Sequence, residues 1–99
     1  MLHTVNKSPF DRNTFQTCIK FVGPGSAVLL IEDGVYAAVQ GTSISNDVQQ
    51  ALQQMSIYAL TPDLEARGMQ NRVMDGVRLV DYAGFVDLVV EHSAVQSWL

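Results

Sequence analysis

A chain of 99 residues, 47% hydrophobic and 16% charged, has apolar material for one folded core and too little length for a second lobe. Its net charge of −4 comes from ten carboxylates against six scattered cations, Lys7, Arg12, Lys20, Arg67, Arg72 and Arg78. This excludes the clustered basic footprint that direct nucleic-acid binding needs, and the sparse charge suits a surface partly covered by protein partners.

No apolar run approaches the roughly 20 residues of a membrane-spanning helix. The start Met1-Leu2-His3-Thr4 lacks the basic region and long apolar core of a signal peptide, so a cytoplasmic location is expected. With one cysteine, Cys18, and two histidines, His3 and His92, an internal disulfide is excluded, and neither a metal site nor a cofactor is expected.

Leu2 to Val5 reads as a first strand. Ser8-Pro9 offers an N-cap and a proline at the first helical turn, with Asp11 and Asn13 as alternative starts. Phe15, Cys18, Ile19 and Val22 follow at i, i+3, i+4, i+7, the stripe of a helix packed on a sheet, and Gly23-Pro24-Gly25 ends it. Ala27 to Ile31 is a short unbroken apolar run, the signature of a strand buried on both faces, and it leads into Glu32-Asp33-Gly34. Val35 to Val39 predicts a short helix. A second is capped within Ser45-Asn46-Asp47, with Ile44, Val48, Leu52 and Met55 on one face.

Ile57 to Leu60 is the third strand. Thr61-Pro62-Asp63 opens a helix ended by Gly68, in which Asp63 and Arg67 are spaced for an i,i+4 pair. Val77 to Val80 is a fourth strand. Asp81 caps a helix running to His92 that is expected to bury Tyr82, Phe85, Val86 and Val89. Val95 to Leu99 forms either a last strand or an arm. Strands alternating with helices predict an α/β fold, a single-domain three-layer α/β/α sandwich with a mostly parallel sheet of four or five strands.

Candidate sites are few. Cys18 is the one sulfur nucleophile, yet it lies on the apolar stripe, two turns inside its helix and without a cation at i±3 or i±4. Core packing is therefore the stronger expectation for it. Glu32 and Asp33 point to opposite sides of a strand end and suit a turn better than a shared proton or ion. Asn6-Lys7-Ser8 stands between strand and helix, where an anion could dock, but lacks the glycines of a phosphate loop. Trp98-Leu99 either folds back over the sheet edge or anchors a partner.

From Leu2-His3-Thr4-Val5-Asn6-Lys7-Ser8-Pro9-Phe10 through Leu29-Leu30-Ile31-Glu32-Asp33-Gly34-Val35-Tyr36-Ala37-Ala38, the chain resembles the TusB/DsrH family of sulfur-relay proteins. The likeness continues in Asp63-Leu64-Glu65-Ala66-Arg67-Gly68, Asp81-Tyr82-Ala83-Gly84-Phe85-Val86-Asp87-Leu88 and the terminal Trp98-Leu99. No single piece is distinctive; their order over the full length is.

The resemblance implies a DsrE-like fold and a heterohexamer with DsrE/TusD-like and DsrF/TusC-like subunits. That complex would relay persulfide sulfur to a small DsrC/TusE-like carrier protein. A cysteine at the place of Cys18 looks DsrH-like, which implies a DsrEFH-type complex of sulfur oxidation; the alternative is the TusB branch that serves 2-thiolation of the tRNA wobble uridine. In either branch the main acceptor cysteine belongs to the DsrE/TusD-like subunit. This implies a non-catalytic or auxiliary subunit of a sulfurtransferase, with Cys18 as candidate auxiliary sulfur carrier and Trp98 and Leu99 as candidate partner contacts. A free-standing anion-binding module is the alternative of another class.

Overall fold

In the computed structural model, which describes residues 1–99, five strands are present: β1 (Leu2–Val5), β2 (Ala27–Leu30), β3 (Ser56–Leu60), β4 (Arg78–Val80) and β5 (Val95–Trp98). They form one sheet in the order β4-β3-β2-β1-β5, with every neighbouring pair parallel. The unbroken run at β2 therefore takes the central position, and all four of its residues are buried. The helices are α1 (Thr14–Phe21), α2 (Ser45–Leu52), α3 (Thr61–Ala66) and α4 (Tyr82–Glu91), with a 3-10 segment at Glu32–Ala38.

Crossover handedness distributes these helices. The steps β1 to β2 to β3 to β4 all move the same way along the sheet, so right-handed connections put α1, the 3-10 segment, α2 and α3 on one face. The step from β4 to β5 runs back to the opposite edge, and the same handedness sends α4 to the other face. Side-chain alternation in β2 divides the core accordingly. Val28 and Leu30 join a cluster of 17 buried residues that includes Phe15, Cys18, Val48 and Leu64. Ala27 and Leu29 join a cluster of 4 with Leu2 and Leu88 of α4. The expected three layers are present and unevenly filled.

Several local expectations are corrected. Of the three starts the sequence offers for α1, the structure takes Asn13 as N-cap with Thr14 first in the helix; Ser8 forms a turn, its hydroxyl accepting from the Phe10 N–H at 3.2 Å. The segment after β2 is a 3-10 helix that begins at Glu32 rather than Val35. The N-cap of α2 is Ile44, and the Ser45 hydroxyl accepts from the Thr42 N–H instead of capping. Val77 lies just before β4 rather than within it.

The largest correction concerns α4. Asp81 caps it as expected, accepting from the Gly84 N–H at 2.8 Å, but the stripe Tyr82, Phe85, Val86, Val89 is not the buried one. Tyr82 and Val86 are 61% and 60% exposed, Val89 is exposed as well, and Phe85 is only partly covered. The sheet-facing side is built from Gly84 and Leu88, with Phe85, the one member of the expected stripe that packs inward, at its margin. A Cβ on Gly84 would stand 3.0 Å from the Val80 Cβ, so the missing side chain lets the helix approach the sheet closely. Two apolar stripes compete on this helix, and the one that contains Gly84 packs inward because it allows the closer approach.

Gly34 is the tightest point of the fold. A Cβ there would overlap the carbonyl oxygen of Val5, and that same oxygen accepts the Ile31 N–H at 3.0 Å. Since the obstacle is backbone, Gly34→Ala is expected to cost about 3 kcal/mol or more. Gly23→Ala, with nothing within 4 Å of its Cβ position, should stay within about 0.5 kcal/mol. Urea denaturation of the two variants measures the contrast.

Candidate functional site

Cys18 is fully buried on the inner face of α1, in the cluster with Phe15, Val5 and Val28. Ile19 and Val22 of the same stripe pack at its margin. Burial pushes the thiol from its ordinary 9.0 up to about 11. The nearest cation in sequence, Lys20, lines the outer groove between α1 and α2 rather than the core. The thiolate is the reactive form, and here the fold disfavours it without any offsetting charge.

The carboxyl ends of β2 and β3, where ligand chemistry collects in open α/β sheets, carry a polar constellation. Glu32 has φ of 50°, the one non-glycine residue with positive φ, and its N–H donates to Asp63 Oδ2 at 2.6 Å. Arg67 turns away from the Asp63 carboxylate: Nε donates to Asp33 Oδ1 at 2.9 Å, Nη2 lies 2.8 Å from the same atom, and Nη1 donates to the Asp63 carbonyl at 3.0 Å. The i,i+4 pair expected within α3 is thus replaced by an interaction with the loop after β2. Asp33, Asp63 and Arg67 clamp that loop to α3, which is a structural use of all three; the Asp33 carboxylate is more than half exposed, so the ion pair contributes about 1 kcal/mol at most.

The Asn6-Lys7-Ser8 stretch follows β1. Asn6 Oδ1 is buried without a hydrogen-bond partner, and the Ser8 oxygen is occupied by Phe10. An unpaired acceptor oxygen is the wrong polarity for an anion, and this disfavours an anion-binding role. At the adjacent sheet edge Val95–Trp98 forms the fifth strand, parallel to β1. Trp98 packs against the large cluster, and its Nε1 donates to His3 Nδ1 at 3.1 Å; Leu99 beyond it is exposed. The His3–Trp98 contact had no signal in the sequence, because it depends on which strand β5 joins.

Two surface features remain. A groove of about 420 Å³ between α1 and α2 is lined by Gln16, Lys20, Asp47, Gln50 and Gln54 over Ile19, Ala51 and Met55. A wholly apolar depression of about 250 Å³ lies on α4 among Tyr82, Phe85, Val86, Val89 and Val90. No group of His, Cys, Asp and Glu side chains is arranged to hold a metal ion, and no helix is long and apolar enough to cross a membrane. The molecule is an α/β domain whose one thiol is sealed in the core and whose most conspicuous surface is apolar.

A family model described as DsrH like protein matches residues 7–95. Protein TusB of Pectobacterium parmentieri is 39% identical over 98 residues, which cover 99% of this chain and 100% of the relative. Protein TusB of Escherichia coli O81 (strain ED1a) is 37% identical with the same coverage. Among solved structures, the ychN protein of E. coli superposes with a TM-score of 0.77 over 98% of this chain and 97% of its own, at 15% identity. MTH1491 of Methanobacterium thermoautotrophicum does so with a TM-score of 0.73 over 97% and 96%, at 19% identity; these two likenesses concern the fold. The chain belongs to the TusB/DsrH family of sulfur-relay proteins.

The burial of Cys18 has a measurable signature. With its thiol raised from 9.0 to about 11, the thiolate fraction at pH 8 falls about 100-fold, and labelling by a disulfide reagent should slow by at least that factor until the chain is unfolded. Because the folded value is raised, this contribution to stability is intact below pH 9.0 and is lost as pH rises through about 11. Denaturation midpoints measured across that window check the direction, with Cys18→Ala as the flat control.

Proposed function

We propose that this chain is the TusB-type accessory subunit of a cytoplasmic sulfur relay that serves 2-thiolation of the tRNA wobble uridine. It would complete an assembly with TusC- and TusD-like subunits and help shape the docking surface for a TusE-like carrier, without holding sulfur itself. The observation that carries this proposal is the position of Cys18, buried in the core and held neutral by its surroundings. A relay subunit without an accessible thiolate can shape and support the assembly, while persulfide chemistry proceeds on a partner's cysteine. The end-to-end likeness to TusB proteins favours the tRNA branch over the sulfur-oxidation branch.

The apolar face of α4 suits the assembly role. Tyr82, Val86 and Val90 lie together on an uncharged stripe, with Val90 79% exposed, and contiguous apolar surface of this kind marks protein interfaces. Val86→Asp is expected to leave the isolated fold within about 0.5 kcal/mol of wild type, because the site is open, and to lower co-purification with the partner subunits about tenfold.

Sulfur loading is tested on the co-expressed three-subunit complex by intact-mass spectrometry after exposure to a persulfide donor. Added sulfur is expected on the TusD-like subunit and none on this chain, in wild type and Cys18→Ser alike. A mass gain on this chain that disappears in Cys18→Ser would make it a second carrier and sink the accessory role.

A further inference from the structure

We propose that His3 and Trp98 form a proton-gated latch, which holds the edge strand β5 on the sheet while the imidazole is neutral and lets it go when the imidazole is protonated. Strand β5 pairs on one side only, with β1, and Trp98 is its one partly buried residue. Beyond the backbone ladder it has two side-chain anchors. One is the Thr4–Ser97 hydroxyl contact at 3.3 Å on the α4 face. The other is Trp98, whose ring packs against the large cluster and whose Nε1 lies 3.1 Å from His3 Nδ1.

The gating follows from donor and acceptor inventory. An indole N–H can only donate, so His3 Nδ1 must carry a lone pair and the proton of the neutral ring must sit on Nε2. A protonated imidazole has an N–H at both nitrogens. The indole N–H would then face another N–H, the hydrogen bond is lost, and a cation stands beside the half-buried rings, whose centroids are 6.2 Å apart.

No carboxylate side chain on the neighbouring strands faces that cation. Across the sheet His3 faces Val28 of β2 and Gln96 of β5, and neither strand carries an ionisable side chain. Helix α1 packs over β1 and β5 with Cys18, buried and neutral, and Lys20, which points to the outer groove. On β1 itself the charge that acts on the ring is the amino-terminal ammonium. Desolvation and that ammonium, in this order, hold the imidazole below its ordinary 6.5. A base whose folded value is lowered takes up its proton first in the unfolded or released state. The latch is therefore intact above pH 6.5 and is lost as pH falls through the folded value.

Trp98 is the only tryptophan, so its indole signal is unambiguous. The full chain is titrated by NMR from about pH 8 to about pH 5 while the indole N–H and the His3 ring are followed together. The protection of the indole N–H, its exchange rate compared with that of free indole at the same pH, is expected to fall about tenfold or more, with the same midpoint as the His3 ring and below 6.5. His3→Gln, whose carboxamide oxygen accepts without titrating, should keep the indole protected at every pH, and Trp98→Phe should move the His3 midpoint up towards 6.5. His92→Gln should change nothing. An indole resonance indifferent to the His3 titration, or the same pH transition surviving in His3→Gln, overturns the latch. The His3→Gln arm decides the matter even if Trp98→Phe does not fold.

Discussion

The handedness of the βαβ crossover is the constraint on which the rest of this molecule depends. Three successive connections step in one direction and one returns, so the chain must place most of its helical mass on a single face of the sheet. That face encloses the large core, including Cys18. The other face receives α4 alone, and one helix cannot cover five strands. Small residues at its contact, Gly84 against Val80, bring it close, and the remaining apolar stripe of Tyr82, Val86 and Val90 is left facing outward. The buried thiol and the exposed patch are consequences of one topological fact.

A second constraint joins β1 to the loop after β2. The Val5 carbonyl meets Gly34 too closely for any side chain, and the loop continues through Glu32 in a left-handed conformation tied to Asp63. Arg67 then bridges to Asp33. The carboxyl ends of the central strands, where many α/β proteins place their chemistry, are here occupied by groups that hold each other.

Much was legible in the chain itself. The unbroken run Ala27 to Leu30 marked the central strand because a strand buried on both faces needs no polar alternation. The stripe Phe15, Cys18, Ile19, Val22 placed Cys18 inward, since 3.6-residue periodicity admits only one such face on α1. The sequence leaves the end of β5 open between strand and arm, and its periodicity assigns the wrong side of α4 to the sheet. On α4 apolar residues occupy both sides, so periodicity alone has no preference; the choice fell to the close approach at Gly84, which exists only once β4 is beside the helix. The expected Asp63–Arg67 pair failed for a related reason: a partner 34 residues away, Asp33, offered the guanidinium better geometry than its neighbour on the helix.

The sequence by itself determined the strand and helix order, the parallel α/β class, the family, and the seclusion of its single thiol. Those properties follow from local periodicity, capping residues and connection length, which are short-range along the chain. Only the tertiary structure decided that β5 lies against β1, that Trp98 meets His3 across 95 positions, and that the outer stripe of α4 stays uncovered. Each of these depends on which strands become neighbours. Strand neighbours are chosen by crossover handedness and the burial of whole faces, quantities that no local stretch of residues contains.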